Sequence, residues 1–423
     1  MIEKPSRTRY WVVVFALSLA ILSYIDRVAL SFAAPRVQRD LGLSDQQIGL
    51  VFSAFGLAYA LFEIPGGFLG DWLGPKKVLI RIVLWWSFFT AVMGQMWNFR
   101  SLIVAQALFG AGEAGCFPNL TKAFSTWLPR HERVRAQGYL WMCARWGGAF
   151  TPMLVVIAFG YMSWRTAFAA FGSLGLIWVG LFAWWFKDDP AKHKGVNAGE
   201  LALLRSVHSL GGGHKDVPWR KMLRSRTVWL LWAQYFCVSF SWYFFITFQS
   251  KYLQEARHMT EGQSAKYGIL PLLCGGIGAL FAGLIAAKLA RWTGSVTRSR
   301  RILSCTAFAG AAACWFCVTQ VDNPVLAVVF MSLGSFSNDL NMPSSWGSCM
   351  NIGGKYAGTL SGSMNMMGNL GGFAMPALGG YILQHTGRDY NLLIYIMVGI
   401  YIIGACLWPF IDPVTPLELE DSH

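Results

Sequence analysis

Gly67-Phe68-Leu69-Gly70-Asp71-Trp72-Leu73-Gly74-Pro75-Lys76-Lys77 is a short polar turn set between two apolar runs, 46–69 and 79–98. Each run has the roughly 20 residues that an α-helix needs to cross a hydrocarbon layer of about 30 Å. The alternation continues outward in both directions. Further runs cover 11–34, 101–126, 137–160 and 163–186, then 227–253, 264–289, 301–319, 324–349, 356–384 and 391–411. Only 13% of the 423 residues are charged and 55% are hydrophobic, against roughly 25% charged in a soluble domain. The chain therefore reads as an all-α polytopic membrane protein with twelve transmembrane helices in two pseudosymmetric six-helix bundles. The first bundle covers 1–186 and the second 227–423. Between them, 187–226 is polar, with Asp188, Asp189, Pro190, Gly211, Gly212, Gly213, Lys215 and Arg220, the composition of a linker.

Loop charge sets the orientation. The amino-terminal tail, the linker and the loops holding Lys76 and Lys77, Arg130, Arg133 and Arg135, Arg298, Arg300 and Arg301, and Lys355 carry about two dozen Lys and Arg, against about eight on the other side. By the positive-inside rule this side, with both termini, is cytoplasmic. The net charge of +14 thus has a cause in topology, and no nucleic-acid partner is expected. Lys4, Arg7 and Arg9 precede an apolar run long enough to stay as a span, so no cleaved leader is expected. The nine cysteines suggest no disulfide framework, and Cys314-Trp-Phe-Cys317 lies inside an apolar run without polar neighbours to stabilise a thiolate.

The turn around Asp71 resembles the signature loop of the major facilitator superfamily: a Leu, an Asp, a Gly and two basic residues at fixed spacing. Gly66, Gly70 and Gly74 permit close approach of backbones. Asp71 can accept hydrogen bonds from a neighbouring helix end or pair with a cation, and with Lys76 and Lys77 it is expected to gate. The corresponding place in the second half holds Ala287 instead of an acid, so the two latches are expected to be unequal. Tyr24-Ile25-Asp26-Arg27-Val28-Ala29-Leu30-Ser31, Gly110-Ala111-Gly112-Glu113-Ala114, Arg145-Trp146-Gly147-Gly148-Ala149 and Gly362-Ser363-Met364-Asn365 through Gly372 resemble the anion:cation symporter branch, which holds bacterial sugar-acid transporters and vesicular organic-anion transporters.

An ionisable side chain in hydrocarbon costs about 2.5–3.5 kcal/mol, so each one inside a span is a functional candidate. Six stand out: Asp26, Arg27, Glu63, Glu113, Arg145 and Asp339. The resemblance ties Asp26 and Arg27 to proton coupling and substrate binding; the alternative is an ion pair that holds helix 1 in register. Glu113 shares a helix face with Gly110 and Gln106. Relatives carry Arg where this chain has Gln106, and Arg145 is expected to supply the missing charge as the main carboxylate anchor, because a guanidinium binds both carboxylate oxygens. Glu113 beside an Arg is then the expected proton carrier, with a protonated structural acid as the alternative. Glu63 reads as a gate or helix contact. Asp339, flanked by Asn338 and Asn341, is either a second proton site or a hydrogen-bond hub. Gly362, Asn365, Asn369 and Gly372 form a polar stripe for substrate hydroxyls, joined by Tyr24 and Tyr59.

No zinc-ligand spacing, phosphate-cradling loop or nucleophile with a base is present, so neither an enzyme nor a cofactor or metal is expected. The resemblance implies a proton-coupled symporter in the bacterial inner membrane, a monomer with one site near the midplane, taking up a small organic anion such as a hexonate, hexuronate or aldarate. Alternatives are another mono- or dicarboxylate such as an aromatic acid or tartrate, drug efflux, and a non-transporting receptor.

Overall fold

The structure, a computed structural model, describes residues 4–205 and 217–417. Gly211, Gly212, Gly213 and Lys215 of the linker lie outside the described residues. Among the described residues the regular structure is entirely helical. The chain forms two compact units: 1–133 with 146–217 and 353–363, and 134–145 with 218–352 and 364–423.

In the first unit lie α1 (Arg9–Leu41), α2 (Asp45–Leu73), α3 (Pro75–Met93), α4 (Phe99–Glu113), α5 (Cys116–Trp127), most of α6 (Arg130–Tyr161), α7 (Trp164–Trp185) and the linker helix α8 (Ala198–Arg205). Boundaries follow local chemistry. Ser44 and Gln47 form a capping box on α2, Asn98 and Ser101 one on α4, and Pro75 opens α3. The fourth expected span is broken. Gly115 takes φ +84°, and a Cβ there would lie 2.6 Å from the Cα of Gly66, so only glycine allows α2 and the α4–α5 corner to touch backbone to backbone. Asn119 Nδ2 seals the corner by donating to the carbonyls of Gly66 and Gly115 at 2.9 and 2.7 Å.

The second unit holds α9 (Trp219–Arg224), α10 (Arg226–Thr247), α11 (Gln249–Lys251) running into a π-turn at Tyr252–Ala256, α12 (Glu261–Thr293), α13 (Val296–Gln320), α14 (Pro324–Leu340), α15 (Met342–Gly353), most of α16 (Ala357–His385) and α17 (Tyr390–Leu407). Here too an expected span is in two pieces, α14 and α15, which part at Asn341 just before Pro343. Eight stretches among the described residues are long and apolar enough to cross a membrane, nine if Arg130–Thr151 and Met153–Tyr161, bent by 42°, count as one. The shortfall from twelve has physical causes. α4 and α5 are 15 and 12 residues long, α3 carries Lys76, Lys77 and Arg81, and the single stretch 324–383 contains three helices. Large apolar side chains such as Leu57, Leu61, Phe88, Phe373 and Ile403 face outward, as a lipid-bathed surface requires.

The first part of the linker is not a loose tether. Glu200 is fully buried and accepts from Ser6 Oγ (2.5 Å), the amides of Thr8 and Arg9 (3.2 and 3.1 Å) and Arg9 Nη1 (3.0 Å). It thereby caps α1, whose own Thr8 provides no side-chain cap. Arg9 also pairs with Glu132 at 2.9 Å. Replacing Glu200 by Ala leaves Arg9 and the α1 amides without this acceptor. The expected cost is about 3 kcal/mol, read as a fall of roughly 5–10 °C in the thermal midpoint of the detergent-purified protein.

Candidate functional site

In the first unit α1 carries Asp26 and Arg27 on adjacent positions, and they take different surroundings. Arg27 Nη2 donates to Glu113 Oε1 on α4 at 3.0 Å. Ser23 Oγ donates to the same oxygen, while the other carboxylate oxygen of Glu113 is buried without a partner. Three rings surround the guanidinium, with Tyr59 4.6 Å, Phe55 5.2 Å and Tyr24 5.4 Å from its carbon. Glu113 is fully buried, whereas the Arg27 side chain keeps 24% of its surface. Asp26 is buried, and among the described residues no cation pairs with it. Gln106 is buried on α4 with its carbonyl oxygen unpartnered. Gly110 lets α2 pass close to α4, because a Cβ there would lie 2.6 Å from the Phe55 carbonyl oxygen.

The polar end of the same unit is built around Asp71, which is buried at the end of α2. Its carboxylate accepts from the amides of Gly358 (3.1 Å) and Thr359 (2.6 Å), from Thr359 Oγ1 (2.7 Å) and from Lys122 Nζ (3.1 Å). Lys122 also donates to the Lys355 carbonyl. Asp71 thus sits at the N-terminus of α16, where a negative charge meets unpaired amides and the positive end of the helix dipole. Both partners anticipated for it, a helix end and a cation, are present, but the cation is Lys122. Lys76 instead gives its backbone amide to Asp188 at 2.8 Å, and Lys77 is exposed. Burial pushes the Asp188 carboxyl above the ordinary carboxylate range, against the pull of the Lys76 amide and of Lys76 and Lys77. Glu63 is buried one turn beyond Tyr59, and a Cβ on Gly362 would lie 2.7 Å from the Glu63 carbonyl oxygen. At Gly67, a Cβ would run into the Gly358 carbonyl oxygen. Glycines therefore let α2 and the start of α16 run in backbone contact.

In the second unit Arg145 forms a bidentate pair with Asp339, Nε to Oδ2 at 2.6 Å and Nη2 to Oδ1 at 3.0 Å. Trp242 lies flat against the guanidinium, its ring centre 3.4 Å from the guanidinium carbon, and Trp141 lies 5.7 Å away. Asn338 Nδ2 donates to Asp339 Oδ1 at 2.9 Å and is held by Tyr401 Oη at 3.0 Å from its carbonyl oxygen. Arg145, the expected carboxylate anchor, is thus paired with an acid of its own chain, Asp339. Asn369 accepts from Tyr243 Oη (3.3 Å) and donates to the Asn365 carbonyl (2.9 Å), while Gly372 makes room for the Tyr243 ring. A further buried network missed in the sequence joins Gln234 to Asn341 and Ser345 at 2.9 and 3.3 Å.

Comparison with known proteins bears on these arrangements. A probable sulfoacetate transporter of Cupriavidus necator is 35% identical over 98% of this chain and 96% of its own length. A probable galactarate/D-glucarate transporter of Escherichia coli is 30% identical over 99% of this chain and 97% of its own. Among solved structures, the proton:xylose symporter XylE aligns with a TM-score of 0.75 at 14% identity over 98% of both chains, and the human organic anion transporter MFSD10 with 0.72 at 15% over 96% of this chain and 100% of its own. These likenesses at low identity establish the fold. The Major Facilitator Superfamily pattern itself matches residues 16–376, and with the relatives above it places the chain in the major facilitator superfamily.

Proposed function

We propose that the chain takes up an organic anion together with protons by alternating access, as a monomer in a bacterial inner membrane with both termini cytoplasmic and no cofactor. The bundles are 1–186 and 227–423, with 187–226 linking them. The observation that carries the reading is the Arg27–Glu113 pair. A partly accessible guanidinium has as its counter-ion a buried acid with one oxygen still unpartnered. Protonating Glu113 removes that counter-ion and leaves Arg27 to a carboxylate or sulfonate from outside, while departure of the substrate returns Arg27 to an ionised Glu113. Tyr59 and Tyr24 supply ring and hydroxyl contacts. Asp26, buried without a cation, is a second acid for which taking up a proton relieves the cost of an uncompensated charge. The transported anions named for the relatives, sulfoacetate and the sugar acids, suit such a centre. Asn365, Asn369 and Gln106 serve hydroxyl groups, and Asp71, with Glu63 beside the α2–α16 contact, gates.

Purified protein in liposomes, assayed by exchange of labelled galactarate, galactonate and sulfoacetate, tests the reading. Exchange of at least one is expected, and Arg27→Gln is expected to raise the half-saturating concentration about tenfold or more, since a buried charged hydrogen bond is lost. Exchange of none of these, or an unchanged Arg27→Gln, would refute it.

A further inference from the structure

The second unit carries a cavity for which transport has no use. At the end remote from the linker, α10 runs through Phe248 into α11 and the π-turn, α16 finishes at His385 and α17 begins at Tyr390. Between these ends lies a hollow of about 510 Å³, within the range of a small-molecule site. Its floor is apolar: the Phe248 ring, Leu383 and the bare backbone of Gly380, where an added Cβ would meet nothing within 4 Å. Its rim is charged, with Lys251 and Arg388 against the single acid Glu255. Glu255 is satisfied from both sides, by Arg388 Nη1 at 2.8 Å and by the Tyr390 hydroxyl at 2.6 Å. Lys251 is exposed, and no acid among the described residues pairs with it. We infer that this hollow holds the head of an anionic phospholipid, with Lys251 and Arg388 on its phosphate and an acyl chain lying over Gly380.

Depth, chemistry and backbone all favour a lipid over a dissolved anion. Gly380 stands two turns beyond Phe373 on the same face of α16, and Phe373 is one of the side chains that face outward. The hollow therefore opens toward the bilayer. Next to Gly380, Tyr381 keeps 63% of its surface and stacks on His385 with ring centres 4.2 Å apart, the placement of an aromatic residue at a membrane–water boundary. An apolar floor under a cationic rim suits a molecule with a hydrocarbon part and a phosphate. The stem of Lys251 can lie along the floor while its ammonium stays at the level of the headgroup, and basic residues beside hydrocarbon select anionic headgroups. A small hydrophilic acid has no group with which to cover Phe248 and Leu383. The backbone at the rim is also held under strain. Gly387 and Arg388 take φ +65° and +69° in succession, a conformation open to glycine but unfavourable for arginine. The Arg388 amide closes the turn by donating to the Leu383 carbonyl at 2.9 Å, which folds Arg388 back to the hollow that Leu383 lines. Strain of this kind gathers where a ligand is clamped.

Native mass spectrometry of the detergent-purified chain, titrated with dioleoylphosphatidylglycerol and with dioleoylphosphatidylcholine, tests the assignment. One phosphatidylglycerol is expected to bind about tenfold more tightly than phosphatidylcholine. Lys251→Gln should weaken that lipid about fivefold, the share of one basic residue near an anionic headgroup. Gly380→Leu changes no charge and places its side chain in open space at an exposed position, so the chain should fold as before while the acyl chain loses its place; binding should weaken by about tenfold or more. Excess sn-glycerol 3-phosphate, which has the phosphate without the chains, should not displace the lipid. Equal binding of the two lipids by the wild type would overturn the inference, as would tight phosphatidylglycerol binding that both Lys251→Gln and Gly380→Leu leave unchanged. Displacement by sn-glycerol 3-phosphate would overturn it too, since the hollow would then be a site for a dissolved phosphate. None of these outcomes bears on the transport reading, which anion exchange in liposomes decides separately.

Discussion

Glu113→Gln is expected to stop net uptake of anion while exchange of labelled for unlabelled anion continues. Glutamine keeps the size of the side chain and can still accept from Ser23, but it carries no charge. The substrate-free carrier then holds Arg27 without a counter-ion in a largely buried place. Leaving one partner of a buried pair alone costs about 3–5 kcal/mol, which corresponds to roughly two to four orders of magnitude in the rate at which the empty carrier turns from one side to the other. Net uptake requires the empty carrier to cross from one side to the other in every cycle; exchange does not, because a carrier that has released one anion binds another while still open to the same side. The variant should also lose the pH dependence of anion binding. If Glu113 carries the proton, as proposed above, its ionised form competes with the anion for Arg27, and glutamine offers no such competitor. Net flux within tenfold of the wild type would show that Arg27 finds its counter-ion elsewhere.

The membrane architecture was legible because lipid requires every backbone amide of a span to be satisfied within its own helix, which stamps a run of about 20 apolar residues on the sequence. The buried charges were legible for the same reason: each interrupts such a run. Their partners were not. Arg145 and Asp339 are 194 residues apart, and nothing local in either helix names the other. Lys122, inside the fourth apolar run, was not among the candidates, because nothing local in that run shows that its ammonium reaches Asp71. Two signals were present and point further. Pro343 marks the end of α14, and Asn197 followed by Glu200 is a capping signature that announces α8 inside what otherwise reads as linker. The break at Gly115 had no such mark, because its cause is the Cα of Gly66, half a bundle away in sequence.

Asp71→Asn tests the other end of the first unit, and the expected effect is nearly as large. The carboxylate holds four donors, two of them amides of the first turn of α16 and one the ammonium of Lys122. An asparagine oxygen can keep one or two of these bonds but offers no charge to the helix N-terminus and leaves Lys122 largely buried with only the Lys355 carbonyl. The loss of a buried pair and of a charged cap together is worth about 3–5 kcal/mol. Because Gly67 and Gly358 already bring α2 and α16 into backbone contact, no side chain stands ready to take over, and the contact itself opens. Amide hydrogen exchange over 357–363 should therefore quicken by about 100-fold or more, since local opening free energy sets the protection of those amides, and uptake should slow with it. Lys122→Met alone leaves Asp71 its three donors on Gly358 and Thr359 and should have the smaller effect on exchange. If instead Lys122→Met opens the segment as far as Asp71→Asn does, the ion pair rather than the helix cap holds the latch. Unchanged exchange in both would remove Asp71 from gating altogether.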